Sequence, residues 1–111
     1  MNSLAEGFAA RGPSEVAFGA TVVSGPHFFY GRTTHSVHET FRVQSDDGRK
    51  LRIVDNVNIA PSVPVAPGDH IDVQGELVPF ARGGPLVHWT HHDPRGLHQD
   101  GYIDLDGRRY A

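Results

Sequence analysis

The sequence predicts an all-β chain: a small five- or six-stranded barrel of the OB type, with an SH3-like barrel or a small sandwich as runner-up. Three observations carry that expectation. Several successive segments keep their hydrophobic residues on one parity, as alternating strand side chains require. Thirteen glycines and eight prolines punctuate those segments at short intervals. One segment carries Gly75 in its middle, where a barrel strand bends or bulges.

Taken in order, residues 1–14 read as a flexible N-terminal arm with at most one short helical turn, and residues 15–111 as a single domain. A strand runs from Val16 to Val23 and resumes at His27 to Tyr30 after Gly25-Pro26. From Val37 onward the odd positions Val37, Phe41 and Val43 are apolar, while His38, Thr40, Arg42 and Gln44 are polar. Asp46-Asp47-Gly48 reverses the chain. The next strand places Leu51 and Ile53 on one side, with Arg52 and Asn56 on the other. Residues 58–67 hold three prolines and form a connector, where an OB-type barrel commonly carries a helix. After Pro67-Gly68-Asp69, Ile71, Val73 and Leu77 face inward and His70, Asp72, Gln74 and Glu76 outward. Strands follow through Val87 to His92 and through His98 to Leu105, ending in a turn at Asp106-Gly107.

Composition narrows the functional classes. With no cysteine there is no disulfide and no thiolate metal site, so a metal would need His, Asp, Glu or backbone oxygen. The net charge of −3, with one lysine and nine arginines spread along the chain, disfavours strong binding to duplex DNA. No apolar run approaches the roughly 20 residues that span a bilayer, and the first residues lack a signal-peptide pattern. A cytoplasmic protein is expected from the chain as given, and a secreted or periplasmic one if a leader precedes it. No P-loop, dinucleotide fingerprint or serine-nucleophile motif is present.

The least ordinary stretch runs from His88 to His98, with four histidines in eleven residues. Asp93-Pro94-Arg95-Gly96 has the residues of a type I turn, and Gly96 suits a G1 bulge. A hairpin so bulged pairs His92 with His98 and puts Val87, Trp89, Ile103 and Leu105 on one apolar face, Trp89 included in the core. His88, Thr90, His92, His98, Asp100 and Tyr102 then share the other face. Directly opposed residues have Cβ atoms about 4.5–5.5 Å apart, close enough for two imidazoles to share a metal or a phosphate.

The block HWTHHDP at 88–94, followed by Gly101-Tyr102, resembles a family of small bacterial proteins of unknown function. The resemblance extends to HETFR at 38–42, VDNVNIAP at 54–61 and GDHIDVQGE at 68–76, and covers roughly residues 16–110. It implies no reaction, implies export for many members, and points to His38, Asn56, Glu76, His88, Thr90, His91, His92 and Asp93.

These readings converge on a His/Asp-rich site. The first expectation is a hydrolytic site of phosphodiester type, with His88, His92, Asp93 and His38 as catalytic candidates. Arg42, Asn56, Glu76, Thr90, His91 and Arg95 are the ligand-binding candidates. His92, His98 and Asp100 are the candidate ligands of a divalent metal such as zinc. The alternatives are a binding module for a small ligand, an oligosaccharide or single-stranded nucleic acid, with Phe28, Phe29 and Tyr30 stacking, and a metal-binding protein without turnover.

Overall fold

Ser3 and Glu6 open the structure with a capping box. The Glu6 amide donates to the Ser3 hydroxyl at 3.1 Å, and the Ser3 amide donates to the Glu6 carboxylate at 2.8 Å. This starts α1 (Leu4–Ala9) in a computed structural model that describes all 111 residues. The helix falls within the N-terminal arm expected over 1–14, where one short helical turn was allowed. A six-residue helix is too short to persist alone, but Leu4 is buried in the core, Phe8 packs against it, and Asn2 bridges to Val16.

Seven strands follow: β1 (Ser14–Gly31), β2 (Ser36–Ser45), β3 (Lys50–Asn56), β4 (His70–Val78), β5 (Leu86–His88), β6 (Tyr102–Leu105) and β7 (Arg108–Tyr110). The two segments expected either side of Gly25-Pro26 are one 18-residue strand whose register shifts between Val22 and His27. That strand closes the sheet on itself. Its first half pairs antiparallel with β4, from Ser14 opposite Leu77 to Thr21 opposite His70. Its second half pairs antiparallel with β2. β2 pairs with β3, β3 runs parallel to β5, and β5 returns antiparallel to β4, so five strands form a ring in the order β1-β2-β3-β5-β4. β6 pairs with β4, and β7 pairs with β6. No helix is long and apolar enough to cross a membrane.

Parity fills the ring as expected except at Val37, near the start of β2, which is exposed. Val16, Ala20, Val22, Phe41, Val43, Leu51, Ile53, Ile71, Val73, Leu77, Val87, Ile103 and Leu105 are all buried, and each such side chain larger than alanine stabilises the fold by about 1.5–3 kcal/mol when fully removed from water. The proline-rich connector is irregular, yet Ala60, Val63 and Val65 are buried, the two valines within the main core. Two interior positions carry carboxyls instead of hydrocarbon. Glu39 and Asp55 are cross-strand partners and almost wholly inaccessible. Glu39 accepts from the Val63 amide (2.9 Å) and the Ser62 hydroxyl (3.2 Å), pinning the connector to the sheet.

The expected histidine hairpin does not form. β5 ends at His88 and β6 begins at Tyr102, and the two do not pair. Both lie along the same edge of β4, β6 opposite residues 71–74 and β5 opposite 76–78. Gly75 marks the handover between them. A Cβ there would sit 2.5 Å from the His88 carbonyl oxygen, so glycine is what lets the end of β5 approach β4. Trp89 has φ of 55°, which turns the chain out of the ladder and takes the indole off the core face.

Candidate functional site

Because β2 and β3 turn their odd residues inward, their even residues form an outer face. His38 stands opposite Asn56, Thr40 opposite Val54, and Arg42 opposite Arg52. β5, parallel to β3, delivers His88 to the same end as Asn56. A cavity of about 240 Å³ opens there. His38, Asn56, His88 and His91 line it, with Trp89, Thr34, Val54 and Ile59 completing its walls. Four sequence-predicted residues from three separate stretches are thus brought together. Farther along the same face, a second concavity of about 240 Å³ holds Arg42, Arg52, Thr40 and His27. No carboxylate forms an ion pair with either arginine, and the buried Nε of Arg52 has no hydrogen-bond partner.

The segment 89–101 is held by its own polar side chains. The buried Thr90 hydroxyl donates to Asp55 Oδ1 at 3.1 Å, tying the loop to the interior. The Gly101 amide donates to the His91 carbonyl at 2.9 Å. The Asp93 carboxylate accepts from the amides of Arg95 (2.9 Å), Leu97 (2.9 Å) and His98 (2.7 Å), and the Gly96 amide closes the expected turn onto the Asp93 carbonyl at 3.0 Å. Asp100 accepts from the Asp93 amide and from His92 Nδ1. Thr90 and Asp93 are accordingly occupied in shaping the loop. His92 is exposed and bonded to Asp100, away from the cavity, and Arg95 is exposed at the turn. The trio His92, His98 and Asp100 is not assembled. His98 turns instead toward Glu15 and Glu76, 3.3 Å from each, because the missing ladder no longer holds it opposite His92.

Aromatic and acidic neighbours fix the imidazoles. Trp89 stacks on His98 with centroids 4.4 Å apart and lies 5.2 Å from His91, while Phe29 stacks on His38 at 5.2 Å. His88 Nε2 donates to Glu76 at 2.6 Å. His38 shares a 2.7 Å hydrogen bond with the Thr34 hydroxyl. Burial, with the nearby charges of His91 and His88, lowers the proton affinity of His38 below the usual histidine value, against an opposing bond to the Asp55 carbonyl. Burial pushes Asp55 up to about 7, with Glu39 adding to the rise and Thr90 opposing it. Burial also raises Glu15. His98 resists charging through burial, but its bonds to the Gln99 carbonyl and Glu76, with the field of Glu15, raise it overall.

Sequence reasoning missed Glu15, Thr34, Ile59 and the interior pair Glu39 and Asp55, and took Trp89 for core. Parity carried a signal for the interior pair: Glu39 falls between Val37 and Phe41, and Asp55 continues the Leu51–Ile53 series. Nothing local marks Glu15, whose place comes from the pairing of β1 with β4.

No curated protein and no solved structure matches the chain. One family does, over residues 25–111, from the second half of β1 to the C-terminal residue and including every wall of the cavity. The chain belongs to this family, described as a protein of unknown function (DUF3465).

Proposed function

We propose that the ring is an OB-type barrel whose outer β2–β3–β5 face binds a short single-stranded oligonucleotide. The strand order, the parallel β3–β5 pairing and the sharing of β1 between β2 and β4 support the OB-type reading. Barrels of that type use the face of strands 2 and 3, with the adjoining loops, for oligonucleotides and oligosaccharides. The observation that carries the choice of an anionic strand is the Arg42–Arg52 pair. Like charges directly opposed across strands repel, and these two have no carboxylate between them. A phosphate bridging them removes that repulsion, with the Arg52 guanidinium already held by its Nη2 donating to the Arg82 carbonyl at 3.2 Å. In the neighbouring cavity Trp89 offers a stacking surface, and Asn56, His38 and His91 offer donors and acceptors for base edges, while the exposed Phe29 stacks on His38 beside it.

The test uses the chain's single tryptophan as reporter. Titration with short single-stranded oligonucleotides is expected to change Trp89 emission saturably, with a salt-dependent affinity. Arg42→Ala is expected to weaken binding and reduce the salt slope by about 1. No response to single strands, or an equal response to a neutral oligosaccharide that Arg42→Ala leaves untouched, overturns the reading.

A second reading, hydrolysis of a phosphodiester in the same cavity, is favoured by the asymmetry of two histidines. His38 has lowered proton affinity, suited to a base, and His88 is oriented by Glu76. Cleavage of the same strands that both His38→Ala and His88→Ala abolish supports it. Intact strands after prolonged incubation leave binding as the function.

A further inference from the structure

Outside the cavity, three side chains from three parts of the fold meet below Trp89. Glu15 of β1 and Glu76 of β4 are cross-strand partners, and His98 comes over from the loop. Their ligand atoms all lie within 4.8 Å of one another. His98 Nε2 stands 3.3 Å from Glu15 Oε1 and 3.3 Å from Glu76 Oε2.

Three details point past an ordinary ion pair. First, charge-assisted N–H···O bonds close to about 2.7–2.9 Å, so two contacts of 3.3 Å are long even for a single N–H shared between both oxygens. A tetrahedral ion with ligands at about 2.05 Å separates adjacent donors by about 3.3 Å. Second, His98 Nδ1 lies 2.8 Å from the Gln99 carbonyl oxygen, which can only accept. Nδ1 therefore carries the proton, and in the neutral ring the Nε2 lone pair faces two carboxylates. Metal-binding histidines are commonly held this way, with the non-ligating N–H on a backbone carbonyl. Third, Glu15 Oε2 is buried with no hydrogen-bond partner, while the free oxygen of Glu76 is taken by His88. Stacking of Trp89 on His98 restrains the ring.

We propose that Glu15, Glu76 and His98 form a three-ligand site for a divalent cation of zinc type. Two carboxylates and a neutral imidazole neutralise a bound dication. A fourth position remains for water or a ligand atom, since all three side chains keep some exposure. His88 acts from outside the ligand set by holding Glu76 in place. The proposal is independent of oligonucleotide binding, and its test needs no nucleic acid.

The full chain, stripped of metal by chelator and dialysed, is titrated with Co2+ and with Zn2+. One equivalent of Co2+ is expected to bind with visible d–d absorption, and Zn2+ to displace it. Glu15→Gln and His98→Gln are expected to abolish the absorption. His88→Ala is expected to weaken binding by about 10–100-fold, as loss of an orienting partner does, and His92→Gln to leave it intact. Should the ligand variants fail to fold, as judged by circular dichroism, imidazole nitrogen resonances of the wild-type protein decide. A Zn2+-induced shift centred on His98 Nε2 supports the site. No binding by the wild-type chain, undiminished binding in folded Glu15→Gln and His98→Gln, or shifts confined to His92 overturn it.

Discussion

Asp55 concentrates much of what holds the candidate site. It sits inside the ring with Glu39 as neighbour, and accepts the hydroxyl proton of Thr90, the residue that anchors the 89–101 loop. Its carboxyl is raised from 3.8 to about 7, with burial as the largest cause. The folded chain therefore keeps a proton that the unfolded chain releases between those values, and stability falls as pH rises through that window. Replacing Asp55 with Asn keeps an acceptor for Thr90 and removes the titration. Urea denaturation is expected to show wild-type stability declining by on the order of 2–4 kcal/mol from about pH 4 to pH 8. Asp55→Asn should flatten most of that decline, leaving the smaller part owed to Glu39, which burial also raises. Equal pH slopes in the two proteins would mean Asp55 is ionised in the fold. The inward place of both carboxyls was legible in the alternation around Phe41 and Ile53. What each one binds was not, because Val63 and Thr90 reach them from 24 and 35 residues away.

At the level of elements, the strands that alternate cleanly, β2, β3 and β4, stand where their hydrophobic parity puts them, since each has one face in the core. The stretch after His88 differs for a local and a distant reason. Trp89 takes a positive φ, and β4 already offers its edge to both β5 and β6. The turn at Asp93–Gly96 was legible; the ladder expected around it was not, because Asp93 itself satisfies the amides of Arg95, Leu97 and His98. These amides, with the Arg95 amide as the largest contribution, hold Asp93 below the usual carboxylate range. Asp93→Ala should therefore loosen the loop and leave the ring intact. Hydrogen exchange at the amides of Arg95, Leu97 and His98 is expected to accelerate by about tenfold or more, with the amides of β2 and β3 unchanged. Unaltered exchange in the loop would return Asp93 to the catalytic candidates.

Across the whole molecule, ring closure by β1 sets the positions of both proposed sites. It brings Glu15 beside Glu76, and its far half carries Phe28, Phe29 and Tyr30 out beside β2 as exposed aromatics. The sequence spelled out an all-β chain with outward His38, Arg42, Asn56 and Glu76, but not which outward residues would be neighbours. That depends on β3 running parallel to β5 and on one strand serving two partners. The outcome is a single face on which an imidazole- and indole-lined cavity adjoins an arginine-lined one. Ligand binding on that face is most directly tested by chemical-shift mapping of the isotope-labelled chain during titration with a short single-stranded oligonucleotide. The expected shifts cluster at His38, Asn56, His88, Trp89 and His91, and continue to Arg42 and Arg52. Shifts gathered instead around His70, Asp72 and Asp104, or none at saturating oligonucleotide, would show that the β2–β3–β5 face is not where this protein meets its ligand.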